Sequence, residues 1–310
     1  MSLQRITIHC LAIIECALAF LIAGCSKQVD IPSEEVAAQL KLPLVAIFVE
    51  RPNQKDDYGD FIGCGVLATA QRGGRQRYFI LTASHIIKGF IDATAVQIGV
   101  LVKNDKARIK RLAAGPNTIS WKDTNPNYDI LLGDITDMIG PLASQGVETV
   151  FIDIDESPFY SYKEDAHILP NLGIAVMNQY PYLGMEQGTG ATVVCADPGK
   201  TFLTNNITYE WTSPFVCKHG TLGKGLMEIE FIYQEDEWRE NPYSPKFTVY
   251  QLNGDIIAGN SGAPIYFRGA DGQYYFTGIV TGFDKCGIFY MTPLDFIIDY
   301  VNGVYEGSSD

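Results

Sequence analysis

The sequence has 310 residues, 46% of them hydrophobic and 19% charged, and its 23 basic and 36 acidic side chains leave a net charge of −13. Such a composition excludes a disordered or low-complexity chain and suits one large globular domain or two ordinary ones. Scattered carboxylates with no basic run repel phosphate backbones, so no nucleic acid is expected as a partner.

At the N-terminus, Arg5 precedes an apolar run from Ile6 to Ala23 that is broken by His9 and Glu15. The run is short for a membrane span and right for the core of a signal peptide. It ends in Leu21-Ile22-Ala23-Gly24-Cys25, which resembles the lipobox of bacterial lipoproteins. That resemblance implies a signal peptide over residues 1–24, lipidation of Cys25 and attachment to a membrane through it. Ser26, where an Asp would imply inner-membrane retention, points to the cell envelope at the periplasmic face of the outer membrane.

With Cys25 lipidated, Cys64, Cys195, Cys217 and Cys286 remain, an even set that permits two disulfides with the pairing left open. The histidines are His9, His85, His167 and His219, and no Cys-x-x-Cys or His-x-x-x-His spacing occurs. A zinc site is therefore not expected, and the metal assignment is none.

Past residue 30 the chain opens with a helical patch, Ser33 to Leu40, in which Ser33 can cap before Glu34 and Glu35. Extended runs follow. Leu44 to Val49 is the first; Gly63 to Ala70 and Arg77 to Thr82 then flank a Gly73-Gly74 turn, which predicts a hairpin. Further runs lie at Ala95–Val102, Ile130–Leu132, Thr149–Ile154, Gly173–Met177, Thr192–Cys195, Met227–Tyr233, Lys246–Leu252, Pro264–Phe267, Tyr274–Thr281 and Ile288–Met291. Strands at this spacing without intervening long helices predict barrels or sandwiches. One convincing helix closes the chain: Thr292 can cap it, Pro293 fits its first turn, and Leu294, Ile297, Ile298 and Val301 share a face. The polar, Tyr-rich stretch 156–170 is the best interdomain linker.

Three local motifs carry chemistry. Gly259-Asn260-Ser261-Gly262-Ala263-Pro264 sets a serine among small residues between two extended runs, where a sharp turn exposes the hydroxyl and aims the N–H groups of Gly259 and Ser261 at one point. Leu81-Thr82-Ala83-Ser84-His85 places a histidine just past a buried strand. Tyr128-Asp129-Ile130-Leu131-Leu132 puts a carboxylate before an apolar run, where burial is costly without a partner. Taken singly, these read as a tight turn, a loop histidine and an acid ahead of a strand.

Taken together, His85, Asp129 and Ser261, in that order and with those neighbours, resemble the chymotrypsin-like serine proteases, bacterial type. Gly63-Cys64-Gly65-Val66-Leu67 resembles the strand ahead of the family's histidine, and Gly278-Ile279-Val280-Thr281-Gly282 its substrate-binding strand. Gly287-Ile288-Phe289-Tyr290 resembles the next wall of the pocket. The resemblance implies an all-β fold of two antiparallel six-stranded Greek-key barrels with a C-terminal helix: an N-terminal barrel at 40–155, the linker at 156–170, and a C-terminal barrel with its helix at 171–303. It implies a serine endopeptidase acting on a peptide or protein substrate without a cofactor, with a His85, Asp129, Ser261 triad and an oxyanion hole at Gly259 and Ser261. Substrate contacts would come from Thr281, Gly282, Gly287 and Asp255. The acid lies six residues before Ser261, where family members that cleave after Arg or Lys carry theirs, although Asn253-Gly254-Asp255 reads equally well as a surface turn.

Chain order removes the other hydrolase folds: an α/β-hydrolase needs a histidine after the serine, and none follows Ser261. A subtilisin-type site needs its Asp ahead of the histidine, and no suitable one precedes His85. Three departures from the family are visible. An insertion lies between Asp129 and Ser261; Asn260 stands where digestive members carry an Asp that pairs with a freed N-terminus; and Ala263 replaces a commoner glycine, where its methyl would narrow the site. A protease-fold lipoprotein that binds a peptide or protein without cutting it is the competing reading.

Overall fold

The computed structural model describes residues 32–50, 60–88, 95–102, 105–111, 119–122, 128–144, 149–156, 179–180, 185–186, 190–196, 209–210, 215–230, 246–269, 272–283 and 288–306. The signal-peptide and lipobox assignments, Cys286, Gly287, the run 173–177 and nearly all of the 156–170 linker lie outside them.

The fold is mostly β-strand. Helix α1 (Glu34–Leu40) starts where expected, with the Ser33 hydroxyl accepting the Val36 N–H. The N-terminal half contributes β1 (Leu44–Glu50), β2 (Asp60–Arg72), β3 (Arg75–Thr82), β4 (Ala95–Val102), β5 (Asp105–Arg111), β6 (Ser120–Lys122), β7 (Leu131–Asp134) and β8 (Ile152–Asp153), with short helices α2 (Ser84–Lys88) and α3 (Ile139–Ser144). The hairpin of β2 and β3 is tighter than expected: pairing continues to Arg72 and Arg75, leaving only Gly73 and Gly74 in the turn, both at positive φ (58° and 70°). Two such residues in succession match the twist of the flanking strands, and glycine adopts them without steric cost.

After the two-residue strands β9 (Gln179–Tyr180) and β10 (Met185–Glu186) come β11 (Gly190–Ala196), β12 (Tyr209–Glu210), β13 (Phe215–Glu230), β14 (Lys246–Gly254), β15 (Pro264–Arg268), β16 (Tyr274–Phe283) and β17 (Ile288–Pro293), ending in helix α4 (Leu294–Glu306). Six of these strands form a closed antiparallel barrel of order β11-β13-β14-β17-β16-β15. The N-terminal sheet has the order β12-β5-β4-β1-β2-β3-β7-β6, with β8 joined to β2. The two orders correspond. In the barrel one strand, β16, pairs with both β15 and β17; in the N-terminal sheet that position is divided between β5 on β4 and β6 on β7.

The first strands are continuous apolar runs because both of their faces are buried. Val45, Ile47, Leu67 and Ile80 fill a small core within the N-terminal sheet. The alternate residues Ala46, Phe48, Val66, Phe79 and Leu81 belong to a larger core shared with the C-terminal barrel and α4. The period of two along each strand thus sorts side chains between two cores, and the serine turn lies along the shared one.

Helix α4 buries Leu294, Ile297, Ile298 and Val301 as expected, and Phe296 and Tyr300 as well. The wider buried surface arises because α4 also meets the N-terminal sheet: Phe296 stacks on Tyr128 at 4.8 Å, the Tyr300 hydroxyl donates to the Lys122 carbonyl, and the Tyr305 hydroxyl donates to Asp134 at 2.9 Å. The expected Thr292 cap does not form. Thr292 lies within β17, and its hydroxyl bonds that of Thr281 on β16.

Two strand assignments change. Thr149–Ile154 shrinks to β8, and β13 begins twelve residues before Met227, carrying glycines that hid it from the period-two pattern. Gly220 is required there, since a Cβ would lie 2.8 Å from the Asn253 carbonyl and 2.9 Å from the Phe289 ring. Cys64, Cys195 and Cys217 are thiols, so no disulfide joins any two of them.

Candidate active site

Strand β3 ends at Thr82, and α2 follows at once, so His85 stands in the first turn of a helix at the mouth of the sheet. Register brings Asp129 to the same place: Thr82 pairs with Leu131 at the start of β7, two residues after Asp129. The carboxylate is 0% exposed and accepts three hydrogen bonds. Oδ1 takes the Ser84 hydroxyl at 2.8 Å and the His85 N–H at 2.9 Å, and Oδ2 lies 2.6 Å from His85 Nδ1. A buried carboxylate is tolerable only when so satisfied. Because the carboxylate accepts at both oxygens, Nδ1 of the imidazole is the donor in this contact, and the ring is oriented with Nε2 on the side away from Asp129. The imidazole keeps a partly open face, with 19% of its side chain exposed.

Ser261 comes from the other half of the chain. The turn ahead of β15 is locked locally: the Asn260 N–H donates to the Ile257 carbonyl at 3.0 Å, the Asn260 side-chain oxygen accepts the Ile257 N–H at 3.1 Å, and the Ala263 N–H donates to the Asn260 carbonyl at 3.1 Å. Gly259 and Gly262 take positive φ, 89° and 79°, which glycine alone adopts readily. The turn is also docked. Cys64 N–H on β2 donates to the Ser261 carbonyl at 2.8 Å, and Gly262 N–H donates to Val280 on β16 at 2.7 Å. Gly262 lies so close to β2 that a Cβ would come within 2.0 Å of the Cys64 carbonyl and 2.5 Å of the Thr82 hydroxyl oxygen. Since Thr82 is three residues ahead of His85, the serine turn rests against the end of the strand that delivers the histidine.

Ser261 is 8% exposed, and among the described residues its hydroxyl makes no hydrogen bond. Also among the described residues, the N–H groups of Gly259 and Ser261 donate to no backbone carbonyl. Ala263 is buried, its N–H and carbonyl both engaged with neighbouring backbone, so its methyl belongs to the core and does not narrow an opening.

The remaining expected site residues lie as follows. Thr281 is buried with its hydroxyl on Thr292, and Gly282 pairs with Tyr290 across β16 and β17 just past a bulge. Asp255 directly follows β14 and is exposed. Gly287 and Cys25 lie outside the described residues. Ser84, Thr82 and Cys64 escaped the sequence reading, although each sits inside or beside a motif already singled out. A hydroxyl immediately before the histidine was the available signal for Ser84. The contacts of Cys64 join residues nearly two hundred positions apart and left none.

No family model matches the chain, and no curated protein matches it. Among solved structures, the active form of the Rv3671c protease from M. tuberculosis aligns over 92% of this chain and 93% of its own, at 12% identity and a TM-score of 0.47. The serine endoprotease from Yersinia pestis aligns over 89% of this chain and 68% of its own, at 12% identity and a TM-score of 0.46.

Proposed function

We propose that the chain is a serine endopeptidase that cleaves peptide bonds with Ser261, His85 and Asp129. One observation carries this reading: a wholly buried carboxylate orients the imidazole through Nδ1, beside a tight glycine-flanked turn that bears a serine. Ser261 Oγ attacks the scissile carbonyl as His85 Nε2 takes its proton, and the imidazolium that forms is stabilised by Asp129. The same proton passes to the leaving amine as the tetrahedral intermediate collapses to an acyl-enzyme, which water, deprotonated by His85, then hydrolyses. The N–H groups of Gly259 and Ser261 receive the developing oxyanion, each contributing about 3 kcal/mol. The local lock on Asn260 supports a turn formed without any activating cleavage.

The substrate is a peptide or protein, contacted at the end of β16 around Gly282 and at Gly287, with Thr281 supporting that strand from inside through its hydroxyl on Thr292 and Asp255 as a candidate partner for a basic side chain. The lipobox adds attachment to the cell envelope through Cys25, at the periplasmic face of the outer membrane. If so, Cys25→Ser leaves the protein out of the detergent phase on partitioning, and unchanged partitioning rejects the anchor.

The competing reading, a protease fold that binds without cutting, draws on the Ser261 hydroxyl making no hydrogen bond among the described residues. Catalytic contacts are often loose before substrate binds, so this geometry alone does not choose. A fluorophosphonate probe does: it phosphonylates an activated serine and leaves an inert one unmodified. Labelling lost in Ser261→Ala supports the peptidase, and an unlabelled wild type supports the binder.

A further inference from the structure

Cys64 touches the serine turn twice, and the mechanism above does not use it. It is 0% exposed on β2. Its N–H donates to the Ser261 carbonyl at 2.8 Å, and its thiol donates to the Gly259 carbonyl at 3.3 Å. Its own carbonyl accepts the Thr82 hydroxyl at 2.7 Å. One residue thus connects the strand that leads to His85 with the carbonyls of Gly259 and Ser261, the two residues whose N–H groups form the candidate oxyanion hole; the Gly259 carbonyl belongs to the peptide that lies between those two N–H groups.

The two bonds to the turn differ in kind. Any non-proline residue at position 64 supplies the N–H, whereas the bond to Gly259 belongs to the side chain. Gly259 itself has little preference about its dihedrals, so its carbonyl is held by what it touches rather than by its own sterics. On one side the peptide is fixed by Asn260 N–H on Ile257; the thiol fixes the other. Burial of Cys64 removes it from contact with soluble oxidants, which argues for a donor rather than a redox sensor.

We infer that Cys64 is a positioning residue: its thiol holds the Gly259 carbonyl so that the N–H groups of Gly259 and Ser261 stay aimed at a common point. The inference rests on the peptidase reading. Because a thiol is a weak donor, its loss loosens the turn without dismantling it.

The test compares Cys64→Ala, Cys64→Val and Cys64→Ser with the wild type in the full chain. Val removes the donor and overfills the site where Ala underfills it, so an effect common to both does not come from a cavity; Ser keeps a donor. Two quantities are followed, the fluorophosphonate labelling rate and hydrogen exchange at the amides of Asn260, Gly262 and Ala263. The expected result is labelling about tenfold slower in Ala or Val, a fraction of what losing a whole oxyanion donor costs. Exchange should rise at the turn while the amides of β13 and β14 keep their wild-type rates, and Ser should recover most of both. A labelled wild type with equal labelling in Ala and Val overturns the positioning role alone. So does faster exchange shared by β13 and β14, which marks a purely structural role. An unlabelled wild type overturns the catalytic reading and the oxyanion role with it.

Discussion

The Cys64 N–H donates to the Ser261 carbonyl at 2.8 Å, a backbone bond between β2 of the N-terminal sheet and the serine turn of the C-terminal barrel. It exists only because Gly262 lets the turn come within van der Waals contact of β2. The junction is therefore sensitive to a single methyl group.

Gly262→Ala places a Cβ on the Cys64 carbonyl, at a backbone angle that alanine disfavours. The turn has to lift away, at an expected cost of about 3 kcal/mol or more. Gly73→Ala is the control. It too sits at positive φ, but nothing lies within 4 Å, so only the conformational term of about 1 kcal/mol applies. Urea unfolding of both variants, with fluorophosphonate labelling alongside, measures the difference; equal destabilisation would refute tight docking of the turn.

Ser261→Ala and His85→Ala should each abolish labelling and turnover with the fold intact by circular dichroism. The double variant should be scarcely worse than either, since the two side chains act as one unit. Additive losses would show that they act independently.

Asp129→Asn keeps the size of the side chain and turns an acceptor into a donor opposite His85 Nδ1, which forces the wrong tautomer. The expected loss in kcat is about 10⁴-fold, the figure known for the equivalent change in a trypsin-type triad. Ser84→Ala removes one of the three bonds to the carboxylate and should cost about 1.5 to 3 kcal/mol in stability, as for other hydrogen bonds to charged groups. Steady-state kinetics beside thermal melts separate the two effects. A Ser84→Ala protein as stable as wild type would mean that the hydroxyl bond contributes nothing.

Tyr305 lies partly buried with its hydroxyl on Asp134, and burial first, then the neighbouring carboxylate, raise its pKa above the usual tyrosine value. A raised pKa means that the folded protein retains the phenolic proton over a range where the unfolded chain gives it up. Its contribution to stability is thus complete below about pH 10 and declines as pH rises beyond that. Tyr305→Phe should cost about 1 kcal/mol at neutral pH and flatten the alkaline decline. Denaturant unfolding from pH 8 to 11 tests this, and parallel curves for the two proteins would reject the assignment.

Much of this was legible in the sequence because it is local. The Ser33 cap, the Gly73-Gly74 hairpin, the apolar face of α4 and the motifs around His85, Asp129 and Ser261 each depend on residues a few positions apart, where backbone preference and periodicity decide the outcome. Strands β5 and the first half of β13 were not legible, since a charged stretch and a glycine-rich one become strands through partners supplied from elsewhere. Thr292 illustrates the same limit: its local signal was a helix cap, and a cross-strand hydroxyl on Thr281 won. What the tertiary structure alone decided is the meeting of the two halves. Long-range register sets Asp129 beside Ser84 and His85, and the close approach at Gly262 sets Cys64 and Thr82 against the serine turn. Contacts of that kind depend on how two sheets bury a common apolar face, and no short stretch of residues encodes them.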